Sequence, residues 1–184
     1  MRTNLYSKFF LLLLLIISVG TSCAQKSFHD FKVTDINGEI FDLATLKGKK
    51  VLVINTASKC GLTPQYEALQ ALQNKYGGEK FTVIGFPANN FLKQEPGTDK
   101  EIIEFCTKNY GVTFPMMSKI SVTGEDMAPI YKWLTQKEQN RVMDSKVSWN
   151  FQKYMIDENG RLIDFVSPKT KPDDEKIVSW ITTK

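Results

Sequence analysis

The chain has 184 residues and a formal net charge of +4, and 42% of its residues are hydrophobic, which fits one globular domain with a full core. Its lysines are scattered along the chain, so the composition argues against dedicated nucleic-acid binding, which needs a clustered basic face. The single histidine, His29, excludes Cys/His and Ser/His catalytic pairs in the body of the domain. It also excludes a zinc site built from several His or Cys ligands.

The first 22 residues are predicted to be an export signal. Two basic residues precede an apolar run over residues 9–19, and small residues follow it. The run is shorter than the roughly 20 apolar residues that a membrane span needs. Cys23 resembles the lipid-modified first residue of bacterial lipoproteins, although Gly20 stands where a leucine is usual. We therefore expect export to the periplasm or cell envelope, with either a lipid anchor on Cys23 or ordinary cleavage nearby, for instance after Ala24.

The remaining residues, 23–184, are predicted to form one domain of alternating strands and helices. Thr63 and Pro64 are expected to cap and begin its first helix, which Gly77 and Gly78 then end. In chain order, the periodicity and turn signals predict a hairpin over 31–41, strands over 51–55 and 81–86 on either side of that helix, helices over 98–110 and 127–136, a hairpin of strands over 147–156 and 161–166, and a final helix from 173 or 174.

This order of elements predicts an α/β fold with a mixed central sheet covered by helices on both faces. A thioredoxin-like fold has this pattern, with a βαβ half, an antiparallel half and a reactive loop at the carboxyl ends of the strands. That loop is expected to contain Cys60, which follows the strand over 51–55 and precedes the first helix.

Cys60 is the leading candidate for chemistry. Backbone N–H groups of a tight turn and the positive end of a helix opening just past it are expected to face its sulfur, and Lys59 adds a positive neighbour. A thiol there should ionise more readily than a free one, and the thiolate is the nucleophile. The alternative is a small, buried and unreactive core cysteine. Because no histidine is available, only dipoles, Lys59 and neutral hydrogen-bond donors could activate Cys60.

Five segments resemble the motifs of the glutathione peroxidase family, in the order in which the family has them. They are residues 55–66 (NTASKCGLTPQY), 85–91 (GFPANNF), 94–97 (QEPG), 114–117 (FPMM) and 149–151 (WNF). The resemblance covers essentially all of residues 28–181. It implies a peroxidase that is based on cysteine or selenocysteine and has a thioredoxin fold.

The resemblance also implies roles for single residues. Cys60 would be the residue that attacks peroxide, and Gln94, Trp149 and Asn150 would complete the family's catalytic tetrad. The two amides and the indole are neutral N–H donors, which would stabilise a thiolate and the charge on the departing oxygen. Without the resemblance, Gln94 would be interpreted as a surface loop residue, Asn150 as a turn or cap residue and Trp149 as part of the core.

Cys106 determines the subtype that the resemblance implies. It lies 46 residues after Cys60 on a predicted helix, and it resembles the resolving cysteine of the two-cysteine, thioredoxin-dependent branch. The alternative is a core cysteine on an amphipathic helix, because spacing in sequence does not fix whether two sulfurs can meet. A helix that holds Cys106 away from Cys60 would have to unwind locally before a disulfide forms.

Two departures from the family pattern have consequences. Ala88 and Asn90 stand where many members have Cys and Gln, so Cys60 and Cys106 are the two cysteines in the body of the domain. The sequence does not indicate what Asn90 does. The segment over 137–147 is shorter than in tetrameric members, which predicts a monomer.

The predicted function is therefore a thiol peroxidase that reduces hydrogen peroxide and organic or lipid hydroperoxides without a metal or other cofactor. Cys60 would form a sulfenic acid, Cys106 would condense with it, and a thioredoxin-like reductant or glutathione would restore the thiols. Two alternatives stay open. A thiol–disulfide exchanger usually has C-x-x-C, but Thr63 stands at the second position. A non-catalytic exported binding module would hold Cys60 and Cys106 in a permanent disulfide.

Overall fold

The computed structural model of the chain describes residues 26–183. The predicted export signal over residues 1–22 and the predicted lipidation site Cys23 lie outside the described residues. Between residues 26 and 183, none of the helices has the length and apolar character that crossing a membrane requires.

The described residues form six strands and five α-helices in the order β1β2β3α1β4α2α3α4β5β6α5. Their bounds are β1 Lys32–Thr34, β2 Ile40–Asp42, β3 Lys50–Thr56, α1 Gln65–Tyr76, β4 Phe81–Pro87, α2 Asp99–Tyr110, α3 Pro129–Thr135, α4 Lys137–Asn140, β5 Lys153–Ile156, β6 Leu162–Val166 and α5 Glu175–Thr182. Two short 3-10 helices, at Phe28–Asp30 and Leu43–Leu46, flank the β1–β2 hairpin.

The central sheet has the strand order β4-β3-β5-β6. Strands β3 and β4 are parallel and are connected through α1, whereas β5 is antiparallel to both β3 and β6. Since successive side chains of a strand point to opposite faces, β3 contributes to a core on each side of the sheet. Val51 and Val53 pack on one side with α3, and Leu52 and Ile54 pack on the other with α1, α2 and α5. The predicted thioredoxin-like α/β fold is confirmed.

The predicted strand over 147–156 is wrong in its first part, because only Lys153–Ile156 forms a strand. The backbone of Phe151 has a φ of 69°, which breaks extended geometry immediately before β5. Its N–H donates instead to the carbonyl oxygen of Asn55 at 2.6 Å. The residues before β5 are therefore held as a loop against the carboxyl end of β3. The helix predicted over 127–136 is slightly shorter and spans Pro129–Thr135.

Lys50 holds the C-terminal helix onto the sheet. The residue is 8% exposed, and its Nζ donates to the carbonyl oxygens of Trp180 and Thr183 at 2.7 and 2.5 Å. Carbonyl groups at the carboxyl end of a helix lack intrahelical partners and carry partial negative charge. A buried ammonium group is therefore well placed to satisfy the end of α5.

Replacing Lys50 with methionine is expected to lower the free energy of unfolding by about 1–3 kcal/mol, because the carbonyl groups of α5 lose a charged donor. Urea denaturation followed by circular dichroism measures this change. Lys80→Met is the matched control, since Lys80 is exposed and its ammonium group makes no hydrogen bond or ion pair within residues 26–183. Equal stability of the two variants would contradict the anchoring role of Lys50.

Candidate active site

Cys60 lies in a turn between the end of β3 and the start of α1, and the hydroxyl group of Thr63 holds that turn together. The Cys60 N–H donates to Thr63 Oγ1 at 3.0 Å, and this oxygen in turn donates to the carbonyl oxygen of Ala57 at 2.8 Å. The prediction that Thr63 caps the helix is wrong, because its side chain is engaged inside the turn and Pro64 occupies the N-cap position. Thr63 therefore fixes the backbone on both sides of the cysteine.

The sulfur of Cys60 is nearly buried and is approached by backbone. The residue is 8% exposed, and the N–H of Leu62 donates to Sγ at 3.4 Å. The helix does not open directly past the cysteine as predicted, because α1 begins only at Gln65 and the turn lies between. Lys59 is exposed. The backbone N–H of Leu62 is therefore the donor that the structure places on this sulfur.

The structure places Gln94 beside the Cys60 turn. The backbone N–H of Lys59 donates to the carbonyl oxygen of Gln94 at 3.0 Å. Before it, Leu92 and Lys93 have φ values of 50° and 53°, so the loop after β4 reverses through two successive left-handed residues. This reversal brings the half-buried Gln94 back against the residue that precedes the cysteine.

Asn150 is joined directly to Gln94. Its Nδ2 donates to Gln94 Oε1 at 2.9 Å, and Asn150 is fully buried. Because Oε1 of Gln94 accepts this bond, the amide nitrogen of Gln94 is turned away from Asn150. That nitrogen has no protein acceptor within residues 26–183. The arrangement therefore leaves one amide N–H group available as a donor.

Trp149 is held by its backbone and by its ring. Asn55 Nδ2 donates to the Trp149 carbonyl oxygen at 3.1 Å, and the ring of Phe91 packs against the indole with 5.3 Å between ring centroids. In the part of the chain that is described, the indole N–H donates to no protein acceptor. Sequence patterns missed both Asn55 and Phe91 as supports, although both lie within segments that carry the family resemblance.

A hollow of about 370 Å³ opens next to these residues. Leu62 and Trp149 lie on its wall, so it is adjacent to the Cys60 turn, and Pro168 and Lys169 form its other side. The wall is mainly apolar with one lysine. Such a surface can accept a hydrocarbon chain that ends in an acidic group.

Cys106 lies on α2 and is fully buried. It belongs to the same apolar cluster as Cys60, and both cysteines are free thiols. Burial raises the pKa of the Cys106 thiol to about 11. The hydroxyl group of Tyr66, also fully buried, lies near this sulfur and partly offsets the effect of burial. Cys106 is thus held as a protonated thiol inside the core.

The structure accounts for Asn90, whose role the sequence left open. Its Nδ2 donates to Ser121 Oγ at 2.9 Å and to the Thr123 carbonyl oxygen at 3.2 Å, while its Oδ1 accepts from the N–H of Val122 at 2.9 Å. Asn90 therefore connects the loop that carries Gln94 to the loop before α3. Its role is to support the loop.

Lys153 is a buried lysine that sequence patterns did not identify. It lies on β5 opposite Ile54 of β3 and is fully shielded from solvent. Its Nζ donates to Gln65 Oε1 at 2.5 Å, and to the carbonyl oxygens of Pro168 and Thr170 at 3.1 and 2.5 Å. Burial lowers the pKa of Lys153 to about 7. The lysine ties the start of α1 to the loop that borders the hollow.

Between roughly pH 7 and pH 8.5, Lys153 is expected to make the free energy of unfolding rise with pH, by at most about 1.4 kcal/mol per pH unit. An unfolded lysine keeps its proton up to about 10.5, whereas the folded protein has lost it above about 7. The unfolded state therefore binds more protons in this range, which is why stability rises. Urea denaturation across the range measures the slope.

Lys153→Met should flatten this pH dependence, and Lys169→Met, which changes an exposed lysine of the adjacent loop, should leave it intact. The pH range of this prediction ends below pH 9, because at higher pH the raised pKa of Cys106 makes the free energy of unfolding fall with pH. An unchanged slope in Lys153→Met would show that Lys153 stays protonated in the folded protein.

Residues 26–183 contain no group of three or more His, Cys, Asp or Glu side chains that could hold a metal ion. Among the described residues, the Cys60 sulfur accepts from the N–H of Leu62, and the Gln94 amide and the Trp149 indole have N–H groups without a protein acceptor. Such donors stabilise negative charge as it forms on a leaving oxygen.

The chain matches the family model described as "Glutathione peroxidase" over residues 28–135. It is 45% identical over 158 residues to glutathione peroxidase-like peroxiredoxin 2 of Saccharomyces cerevisiae, covering 85% of this chain and 98% of that protein. It is 39% identical over 159 residues to hydroperoxy fatty acid reductase gpx1 of a Synechocystis species, covering 84% and 94%.

The fold is also similar to that of a solved protein. The crystal structure of Trgpx in its apo form superimposes with a TM-score of 0.65 at 40% sequence identity, covering 86% of this chain and 97% of the other. The similarity therefore extends over most of both chains.

Proposed function

The chain belongs to the glutathione peroxidase family and is a peroxidase, and from this premise we propose that the Cys60 thiol carries the reaction. The observation that carries the proposal is the hydrogen-bonded connection from the Cys60 turn to Gln94 and on to Asn150. It connects Gln94 and Asn150, which are 56 residues apart in sequence, to the turn that holds the sulfur. A structural cysteine would not require this connection.

In the first step, the Cys60 thiolate attacks one oxygen of the peroxide. The O–O bond breaks, water or an alcohol leaves after taking a proton, and Cys60 becomes a sulfenic acid. The amide N–H group of Gln94 and the indole N–H group of Trp149 have no protein acceptor within residues 26–183, so they serve as donors to the departing oxygen. Asn150 orients the amide of Gln94 through its 2.9 Å hydrogen bond.

In the second step, the Cys106 thiol condenses with the sulfenic acid to form a disulfide and water. Both cysteines are free and lie in one apolar cluster, which supports their pairing. Because Cys106 is fully buried on α2, this helix opens locally before the sulfurs meet. A thioredoxin-like dithiol then reduces the disulfide through a mixed disulfide. Relatives named glutathione peroxidase-like peroxiredoxins support this recycling route.

The substrates that we propose are hydrogen peroxide and organic or lipid hydroperoxides. The hollow beside the Cys60 turn is lined by Leu62, Trp149 and Pro168, and Lys169 offers a positive charge to an acidic headgroup. The Synechocystis relative is named for its action on hydroperoxy fatty acids, which supports the same class of substrate here.

We also propose that the protein is exported, that Cys23 carries a lipid anchor, and that the domain is a monomer. The pattern of residues 1–22 and the short segment over 137–147 support these proposals. Mass spectrometry of the protein purified from producing cells tests the anchor, because an unmodified N-terminus at Gln25 would exclude it. Light scattering tests the monomer.

Steady-state peroxide reduction by the full chain tests the proposed function. Hydrogen peroxide is compared with a fatty-acid hydroperoxide, and thioredoxin with glutathione. Turnover of both peroxides, faster with thioredoxin, is the expected result. An exchanger would reduce a disulfide substrate without consuming peroxide, and a binding module would consume none. Equal rates with the two reductants would remove the resolving role of a second cysteine.

A further inference from the structure

Glu95 is a buried carboxyl group with no cation in contact. It directly follows Gln94 and is 1% exposed. One oxygen, Oε2, accepts from Ser58 Oγ at 3.1 Å, and the other, Oε1, is buried without a hydrogen-bond partner within residues 26–183. The ammonium group of Lys119 contacts backbone carbonyl oxygens instead, including that of Glu95 at 3.3 Å. A carboxyl group held in this way requires an explanation.

The position of Glu95 between the two cysteine-bearing segments explains why this carboxyl group is buried there. A cleft of about 360 Å³ has Ser58 and Lys59, which precede Cys60, on one side. Ile102 and Phe105 of α2 form the other side, and Glu95 lies between them. Phe105 is the residue before Cys106. The cleft therefore lies between the segments that carry the two cysteines, and Glu95 lines it.

The disulfide step needs a proton acceptor in this space. The Cys106 thiol must lose its proton as its sulfur attacks the sulfenic sulfur. The only histidine, His29, packs against Gly160 in the β5–β6 turn and does not face the cleft. Two titratable groups act electrostatically on Cys106, namely Tyr66 and Glu95. Burial raises the pKa of Tyr66 well above its ordinary value, so its hydroxyl group does not serve as a base.

We propose that, once α2 has opened locally, Glu95 accepts the proton of Cys106 and passes it to the leaving hydroxyl group of the Cys60 sulfenic acid. The Cys106–Cys60 S–S bond forms as the S–O bond of the sulfenic acid breaks, and the hydroxide leaves as water with that proton. Cys106 is oxidised and the Cys60 sulfenic acid is reduced to the disulfide level, so no further oxidant is needed. The inference rests on the proposed resolving role of Cys106.

Burial raises the pKa of Glu95, which brings the carboxyl group closer to neutral pH, where one group can accept and then return a proton. The charged and titratable groups around it are Lys59, Lys119, Tyr66 and Cys106, and Glu101 of α2 lines the same cleft. The ammonium groups and the Ser58 hydroxyl lower its pKa and so oppose burial. The rate of disulfide formation should therefore rise with pH as Glu95 loses its proton.

The test separates the two steps in the reduced full chain. One equivalent of hydrogen peroxide is added, the reaction is quenched in acid after milliseconds to seconds, and mass spectrometry after alkylation quantifies sulfenic acid and disulfide. Glu95→Gln should slow disulfide formation by about 100-fold relative to sulfenic acid formation. It should also remove the part of the rise with pH that follows Glu95, and leave the rise at higher pH that follows ionisation of Cys106. Glu104→Gln, on the exposed side of α2, is the matched control and should change neither.

Ser58→Ala provides a second test, the pH dependence of disulfide formation, which would not change if Glu95 had a purely structural role. It removes a hydrogen bond that lowers the pKa of Glu95, so the pH-dependent rise should shift to higher pH. This variant also decides the outcome if Glu95→Gln does not fold. Disulfide formation by Glu95→Gln at the rate of Glu104→Gln, or an unshifted rise in Ser58→Ala, overturns the role of Glu95. Absence of a Cys60–Cys106 disulfide in the parental protein instead overturns the resolving role itself.

Discussion

Replacing Cys60 with serine is expected to reduce peroxide consumption to the uncatalysed background, a loss of about 10⁴-fold or more. The serine hydroxyl group is not ionised near neutral pH, and a neutral hydroxyl group is a much weaker nucleophile than a thiolate. The N–H of Leu62 would still point at the side chain, but a neutral oxygen gives it no charge to stabilise. Stopped-flow measurement of peroxide loss with excess reductant gives the rate directly.

Cys60→Ser must be compared with a variant that keeps the Cys60 sulfur and makes an equally small change to the surrounding core. Cys106→Ser serves this purpose, because Cys106 lies in the same apolar cluster and the change is chemically the same. It should retain the first, sulfenic acid-forming step. Peroxide turnover by Cys60→Ser comparable to that of the parental protein would refute the assignment of the attacking residue.

Replacing Cys106 with serine is expected to limit the protein to one peroxide per chain when a thioredoxin-like dithiol is the reductant. The Cys60 sulfenic acid then has no thiol to condense with, so the disulfide that the reductant recognises does not form. A fast burst of one equivalent should be followed by a steady state about 100-fold slower than that of the parental protein, by analogy with loss of an essential catalytic group.

The third cysteine could obscure this result, so Cys23 is replaced by serine in every protein compared. Trapping with a sulfenic acid reagent then identifies the stalled species on Cys60. Continued turnover of the Cys106→Ser protein with thioredoxin at the parental rate would show that Cys106 is a core residue. Recovery of turnover with glutathione alone would indicate that a small thiol can reach the sulfenic acid in place of Cys106.

Local signals predicted most of the fold correctly. The apolar run over 51–55 corresponds to β3, and the capping box of Thr98 and Glu101 marks the start of α2, where each side chain bonds the other's backbone N–H. Such features depend on residues that are close in sequence. The predicted cap Thr63 failed because its hydroxyl group had a competing use within the turn that holds Cys60.

The site depends on contacts that no local pattern encodes. Gln94 and Asn150 are 56 residues apart and meet through one hydrogen bond, so each alone has the pattern of an ordinary loop residue. The loop before β5 was predicted as strand because its apolar residues alternate suitably. Its positive φ at Phe151 follows from a tertiary bond to Asn55. The burial of Glu95 was likewise invisible, since acidic residues in loops are usually exposed.

Strand β3 has a side chain near each end that holds another segment in place, so substitutions at the two ends affect different parts of the protein. Lys50 fastens the C-terminal helix at one end, and Asn55 positions the Trp149 loop at the other. Five residues of extended chain put these anchors roughly 17 Å apart. Changes at sites so far apart combine nearly additively. The stability changes caused by substitutions at Lys50 and at Asn55 are therefore expected to add.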